Sequence, residues 1–294
     1  FGTHRLVHPF ARDDNKCMNY KLVIGWLYPE LMSTYGDRGN IICLQKRCEW
    51  RKIETKVKHL DLGFKIQDLR SCDFLFMGGA QDTQQKIVSH DFSKEKVKAL
   101  KEIIEDGVTG LYICGAYQFL GKYYKEADGN IIDGLCILDL CTENRGEKVP
   151  RLIGNVVIKT DVITNEVKQS QINGIASSSF DKLRTPRNDK KDYLVGFENH
   201  GGRTYLGKEI KPLGKVLKGF GNNGEDKTEG VVYKNSFGSY LHGPILPKNP
   251  HFADYLIKLA LKRKYKKSIN LSSLNDSLEW QAHETIAKRL GISV

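Results

Sequence analysis

The sequence predicts an α/β fold built on a mostly parallel central sheet flanked by helices. Three observations predict it. Short apolar runs alternate with helix-period segments through the first half of the chain. Several of the apolar runs are apolar without alternation, as strands covered on both faces require. The length of 294 residues gives one large domain, or two small ones, ample apolar core.

Taken in order, residues 21–28 read as a strand, and 40–51 as a helix with Ile41, Leu44 and Cys48 on one face. Residues 56–60 form a second strand, and 73–77 (DFLFM) a buried one ending in Gly78-Gly79. Ser93 is placed to cap a helix over 94–105, with Val97, Leu100, Ile103 and Ile104 on one side. A strand at 111–113 runs into a helical pattern through Tyr117, Phe119, Leu120 and Tyr123. The second half is richer in strands, at 155–160, 193–197, 230–233 and 238–241, and closes on helices over 251–263 and about 274–290. No internal repeat is present.

Met18 directly precedes the first strand, so the folded domain is expected over 18–263, after a disordered tail at 1–17 and before a helical extension at 264–294. Residues 169–192 are rich in Ser, Asn and charge, and read as a mobile surface insertion.

Composition excludes several functions. No apolar run approaches the ~20 residues of a membrane span, and residues 1–17 hold no apolar signal core. Seven cysteines without close pairing point to a reducing compartment, and cytoplasmic location is expected. Cys136 and Cys141 lack a matching pair or clustered histidines for zinc. The formal net charge is +11, but the basic residues are diffuse apart from Lys262–Lys264 and Lys266–Lys267 at a helix end. No nucleic-acid signature accompanies them, so a solvated surface, or an acidic partner or substrate, explains the charge better.

The stretch VTGLYICGAYQFLG (108–121) carries the sharpest chemical signal. Cys114 sits where a strand turns into a helix, with small Gly115 and Ala116 after it. That is the geometry of a nucleophile elbow, and a following helix favours thiolate. A buried structural cysteine is the competing reading, and the segment alone barely separates the two. In FLFMGGAQD (74–82), two glycines at a strand end suit either a tight turn or an oxyanion hole of backbone amides. In GSYLHGPILPKN (238–249), His242 follows a strand and precedes Gly-Pro, where an imidazole can serve a thiol as base or acid. A lone histidine is more often structural; an elbow cysteine upstream reverses that weighting. His200, in FENHGGR, ranks below it as a loop residue that shapes the pocket.

In this order, the elbow cysteine, upstream glycine pair and downstream histidine resemble class I glutamine amidotransferases of the cobyric-acid-synthase-like branch. LYPELMSTYGDRGNI (27–41), VGFENHGGRTY (195–205), GFGNNGEDKTEG (219–230) and YLHGPILPKNP (240–250) are similar to the glutaminase subunits of lipid II isoglutaminyl synthases. The likeness spans most of 18–263 and leaves out 1–17 and 169–192.

It implies a class I glutamine amidotransferase-like fold and hydrolysis of L-glutamine. The ammonia would go to a Mur-ligase-like synthetase subunit in a heterodimer, which amidates D-glutamate of lipid II. Residue by residue, it implies Cys114 as nucleophile and His242 as general acid and base. Arg151 would clamp the glutamine α-carboxylate, Gly79 and the Gly115 amide would form the oxyanion hole, and Tyr117 and Gln118 would line the pocket, although Tyr117 suits the core equally. No cofactor or metal is expected in this chain. It lacks a GxxxxGK[ST] phosphate loop, so ATP and Mg are expected on the partner. Many class I glutaminases carry an acid two residues after the histidine. Here Pro244 stands there, so the site is either a Cys–His dyad or takes its acid from elsewhere in this chain or from the partner. A cobyrinate-type amidotransferase domain and a non-catalytic scaffold subunit of the same fold remain open; intact Cys114, His242 and Arg151 weigh against the scaffold.

Overall fold

The computed structural model describes residues 19–163 and 190–293. Most of the 169–192 segment and all of 1–17 lie outside that range. The first half alternates as expected. β1 (Lys21–Leu27) leads to α1 (Arg38–Glu49), β2 (Glu54–Leu60), α2 (Ile66–Arg70), β3 (Phe74–Met77), α3 (Asp82–Asp91), α4 (Lys94–Glu105), β4 (Thr109–Ile113) and α5 (Gly115–Phe119). Then come β5 (Tyr123–Lys125), β6 (Ile131–Asp133), β7 (Leu140–Asn144), β8 (Leu152–Lys159), β9 (Tyr193–His200), β10 (Gly202–Leu206), β11 (Gly214–Lys218), β12 (Thr228–Glu229), β13 (Val231–Tyr233) and β14 (Ser236–Ser239). Two helices end the chain, α6 (Pro250–Tyr265) and α7 (Ser277–Arg289).

The central sheet has the order β13-β14-β4-β3-β1-β2. Every pair in it is parallel except the edge hairpin β13·β14. Its middle strands need apolar side chains on both faces, because helices cover both. Accordingly every residue of β3 and β4 is buried. In α4, Ser93 Oγ accepts the Lys96 N–H as the sequence predicts, and Leu100, Ile103 and Ile104 face the core.

Beyond this sheet the strands are mostly antiparallel, with β5·β7 the parallel exception, an arrangement that apolar runs alone did not reveal. β10-β7-β5-β6 form one small sheet and β12-β11-β8-β9 another. Helices α2 and α3 were also absent from the sequence reading. The first has only five residues and the second, DTQQKIVSHD, is polar with a weak apolar face.

Residues beyond α6 fold back onto the domain. On α7, Ala287 packs against Val157, Tyr193 and Val195 of β8 and β9 in a second small core. The buried Arg47 of α1 ties this return down, with Nε on Asp254 at 2.7 Å and Nη1 on Asp276 at 2.6 Å. Among the described residues no helix is long and apolar enough to cross a membrane.

Candidate active site

Four adjacent parallel strands deliver the site residues to one edge, the carboxyl end where open α/β sheets bind ligands. In sheet order, β14 leads to His242, β4 to Cys114, β3 to Gly79, and β1 to a loop that ends at Asp37. Residues far apart in sequence thus become neighbours through strand order alone.

Cys114 has φ +50° and ψ −109°, a conformation that side chains rarely adopt. It lies in the turn between β4 and α5, its N–H held by the Ser239 carbonyl of β14 at 2.8 Å and its own carbonyl accepting Gln118 N–H at 3.0 Å. Backbone strain persists only where surroundings fix it, and it clusters at functional sites. Gly115 follows of necessity: a Cβ there would lie 2.9 Å from Ala80 N. The helix after the turn is only five residues long, so its dipole contributes little.

His242 is fully buried, its backbone paired with Phe197 of β9 through N–H···O at 2.7 Å. Its Nδ1 lies 3.3 Å from Asp37 Oδ1. Burial is the largest influence on the ring and opposes its charge. The charge of Cys114 beside the ring, followed by the hydrogen bond and charge of Asp37, outweighs burial and pushes His242 up to about 10. The sequence therefore has its acid after all, delivered from the loop after β1 and not from two residues past the histidine. That loop is stitched to the histidine segment at three successive points. Asp37 meets His242, a Cβ on Gly39 would lie 2.4 Å from Pro244 Cγ, and Asn40 Oδ1 accepts Leu246 N–H at 3.0 Å. Pro244, at the usual place of the acid, packs so closely on residue 39 that only glycine fits there. The sequence signal for Asp37 is an acid in a glycine-containing segment, YGDRGN, just past the first strand.

Gly79 is placed beside both groups but differs from expectation. A Cβ on it would stand 3.0 Å from His242 Cε1 and 3.3 Å from Cys114 Cβ, so only glycine lets the two approach. Its N–H, expected in an oxyanion hole, instead donates to Asp37 Oδ2 at 2.7 Å. The next amide, Ala80 N–H, has no acceptor among the described residues, and neither has Gly115 N–H.

A cavity of about 380 Å³ opens over Cys114, lined also by Ala80, Asp82, Gln118, Arg151 and Asn199. Arg151 stands at its mouth just before β8. Asn199 of β9 holds the guanidinium, with Nε on Oδ1 and Nη2 on the carbonyl, each at 2.9 Å. Its Nη1 has no hydrogen-bond partner among the described residues. Gln118 Nε2 donates to Tyr240 Oη at 3.0 Å, and its Oε1 accepts from Gln85 Nε2 at 3.2 Å.

Tyr117 does not reach the cavity. It is fully buried and its hydroxyl donates to Asn222 Oδ1 at 2.9 Å, which makes it the anchor of the GNNG loop (221–224) instead of a pocket wall. The helical turn after Cys114 points Gln118 outward and Tyr117 inward, a distinction that spacing alone left open. His200 lies on the last residue of β9, stacked 3.6 Å from the Tyr240 ring, with Nδ1 at 2.7 Å from the Gly202 carbonyl. Burial holds it below the usual histidine range.

The family model of the CobB/CobQ-like glutamine amidotransferase domain matches residues 23–250. The chain is 42% identical over 245 residues to the lipid II isoglutaminyl synthase (glutamine-hydrolyzing) subunit GatD of Staphylococcus aureus, covering 83% of this chain and 86% of that one. It is 38% identical over 265 residues to the same-named subunit of Streptococcus pneumoniae, covering 90% of each. A probable cobyric acid synthase of Methanocaldococcus jannaschii is 30% identical over 239 residues, 78% of this chain but 40% of its own length.

Proposed function

Because the chain belongs to the CobB/CobQ-like glutamine amidotransferase family, we propose that its cavity hydrolyses L-glutamine and that Cys114 is the nucleophile of an elbow. One observation carries the reading. The strained Cys114 lines the same cavity as Arg151 and is backed by the buried His242, whose ring Cys114 and Asp37 hold above the usual histidine range.

The chemistry follows from that pairing. Arg151, already aligned by Asn199, offers Nη1 to the α-carboxylate and fixes the carboxamide over the thiolate. The sulfur attacks the carboxamide carbon, and the oxyanion forms against the Ala80 and Gly115 N–H groups. His242 gives its proton to the departing ammonia and is left neutral. It then takes a proton from water, which opens the γ-glutamyl thioester and returns glutamate and the thiol. Asp37 touches no substrate. It is a positioning residue that fixes the ring through Nδ1 and stabilises the imidazolium. This half-reaction is expected to need no metal or organic cofactor from this chain.

The ammonia is assigned to a Mur-ligase-like synthetase subunit bound as a heterodimer, which uses ATP and Mg to amidate D-glutamate of lipid II to D-isoglutamine in peptidoglycan synthesis. Coverage supports this over cobyrinate amidation. The chain spans most of the two GatD subunits but under half of the cobyric acid synthase. Seven cysteines without close pairing support the cytoplasm as the proposed site of action. The test is ammonia release from glutamine by the full chain, with and without the synthetase. Release that Cys114→Ser abolishes with the melting temperature kept is the expected result; equal release by that variant would remove Cys114 from the chemistry.

A further inference from the structure

The cavity over Cys114 holds two charged groups that lack ionic partners among the described residues. Arg151 has only Asn199, and Asp82, the first residue of α3, forms no ion pair. Its acidic neighbour Glu126 is already taken by Lys86 at 2.9 Å. Asp82 is half-buried and lines the cavity beside Tyr124, whose hydroxyl lies within 3.5 Å of Asn144 Nδ2. Burial first, and then the charge of Glu126, raise its carboxyl above the ordinary range, while Tyr124, Lys86 and Arg151 only partly oppose them. An anion kept in a desolvating cavity at that cost is stabilised by a cation brought from outside.

We propose that Asp82 is the counter-ion for the α-ammonium group of the substrate. The cavity then reads a zwitterion, with Arg151 on the carboxylate, Asp82 on the ammonium and Cys114 on the carboxamide. One unpaired cation and one unpaired anion beside a thiol match the three polar ends of a free amino-acid amide, and match neither a deaminated amide nor an N-acylated one. The inference rests on the glutaminase reading and extends it to the substrate's third functional group. Asp82 is a specificity-determining residue.

The experiment compares L-glutamine with 4-carbamoylbutanoate, which keeps carboxylate and carboxamide but lacks the ammonium. Ammonia release is followed for the full chain with its synthetase, in parent, Asp82→Asn and Asp82→Glu forms. The parent is expected to favour glutamine by about 10- to 100-fold in kcat/KM, the worth of one charge-assisted hydrogen bond. Asp82→Asn removes most of that preference through a raised glutamine KM, leaves the analogue within about threefold, and keeps the melting temperature. Asp82→Glu restores part of the preference. Equal parental rates on the two compounds would overturn the proposal while leaving the glutaminase reading intact. So would an Asp82→Asn variant that slows both alike, since Asp82 would then merely brace Tyr124. A parent that hydrolyses neither compound overturns the glutaminase reading itself, and this inference with it.

Discussion

Asp37 decides the state of His242. Its Oδ1 faces the ring and its Oδ2 holds the Gly79 amide, so one carboxylate sets both the imidazole and the turn beside it. The ring is raised to about 10, so the imidazolium proposed to protonate ammonia is present below that pH and is lost as pH rises through it. Asp37→Asn keeps an acceptor for Gly79 but removes the charge that favours the imidazolium. The alkaline limb of the kcat/KM profile, which belongs to the Cys114–His242 pair as a whole, is therefore expected to move down by about one pH unit or more. A limb that stays in place would show that Asp37 does not act on the ring. At this scale the sequence was legible for Cys114, His242 and Gln118, whose neighbours announce their turns. It was silent on Ala80 and Asp82. A free amide is a property of which hydrogen bonds its neighbours have already made, and an unpaired carboxylate is recognised only once every nearby cation is placed. The sequence places Cys43, Cys48, Cys72 and Cys136 facing the core, and the structure differs at Cys136, which is exposed with φ +50°. Burial pushes Cys43 and Cys48 up to about 12 and Cys72 to about 11, so those three stay protonated and inert.

The element that most affects the site from outside is α7. Its His283 Nδ1 lies 2.9 Å from the Lys248 carbonyl and 3.1 Å from Asn249 Oδ1, while Asn249 clamps Val195 of β9 and the Ile245 carbonyl. The helix thus braces the segment that follows His242. Its Trp280 stacks on His251 of α6 at 4.9 Å. Burial, followed by the nearby His283, drives His251 down to about 3, and burial lowers His283 as well. Burial disfavours the charge on both rings when folded, whereas each charges near pH 6.5 when unfolded. The stability they confer is therefore full above about pH 6.5 and declines below it until pH falls through the folded value, by about 1.4 kcal/mol per pH unit for His251. The melting temperature is expected to fall between pH 7 and pH 5, and His251→Gln to flatten that slope. An unchanged slope would mean that the rings are already charged in the folded protein. The sequence did show a helix here from the four-residue spacing of Leu274, Leu278, Ala282, Ile286 and Leu290. That face was readable only in part: Ile286 and Leu290 pack against the second core, but Leu278 is 75% exposed and the fully buried contacts are His283 and Ala287.

Over the whole molecule, strand order turns scattered motifs into a site. The parallel core was legible because its middle strands β3 and β4 are apolar and buried throughout. The two smaller sheets were not, since their strands are short, half-polar and paired through contacts distant in sequence. They nevertheless build the far wall of the cavity, because β8 follows Arg151 and β9 carries Asn199 and His200. The central claim is that Cys114, activated by His242 within an Arg151-lined cavity, is the nucleophile toward glutamine. Its most direct measurement is covalent capture by a glutamine analogue that carries a diazoketone in place of the carboxamide, with the modified residue located by peptide mass mapping. The account predicts one label per chain, on Cys114, suppressed by excess glutamine, with the exposed Cys136 untouched at mildly acidic pH. Label on Cys136, or label on Cys114 that glutamine does not suppress, would contradict it.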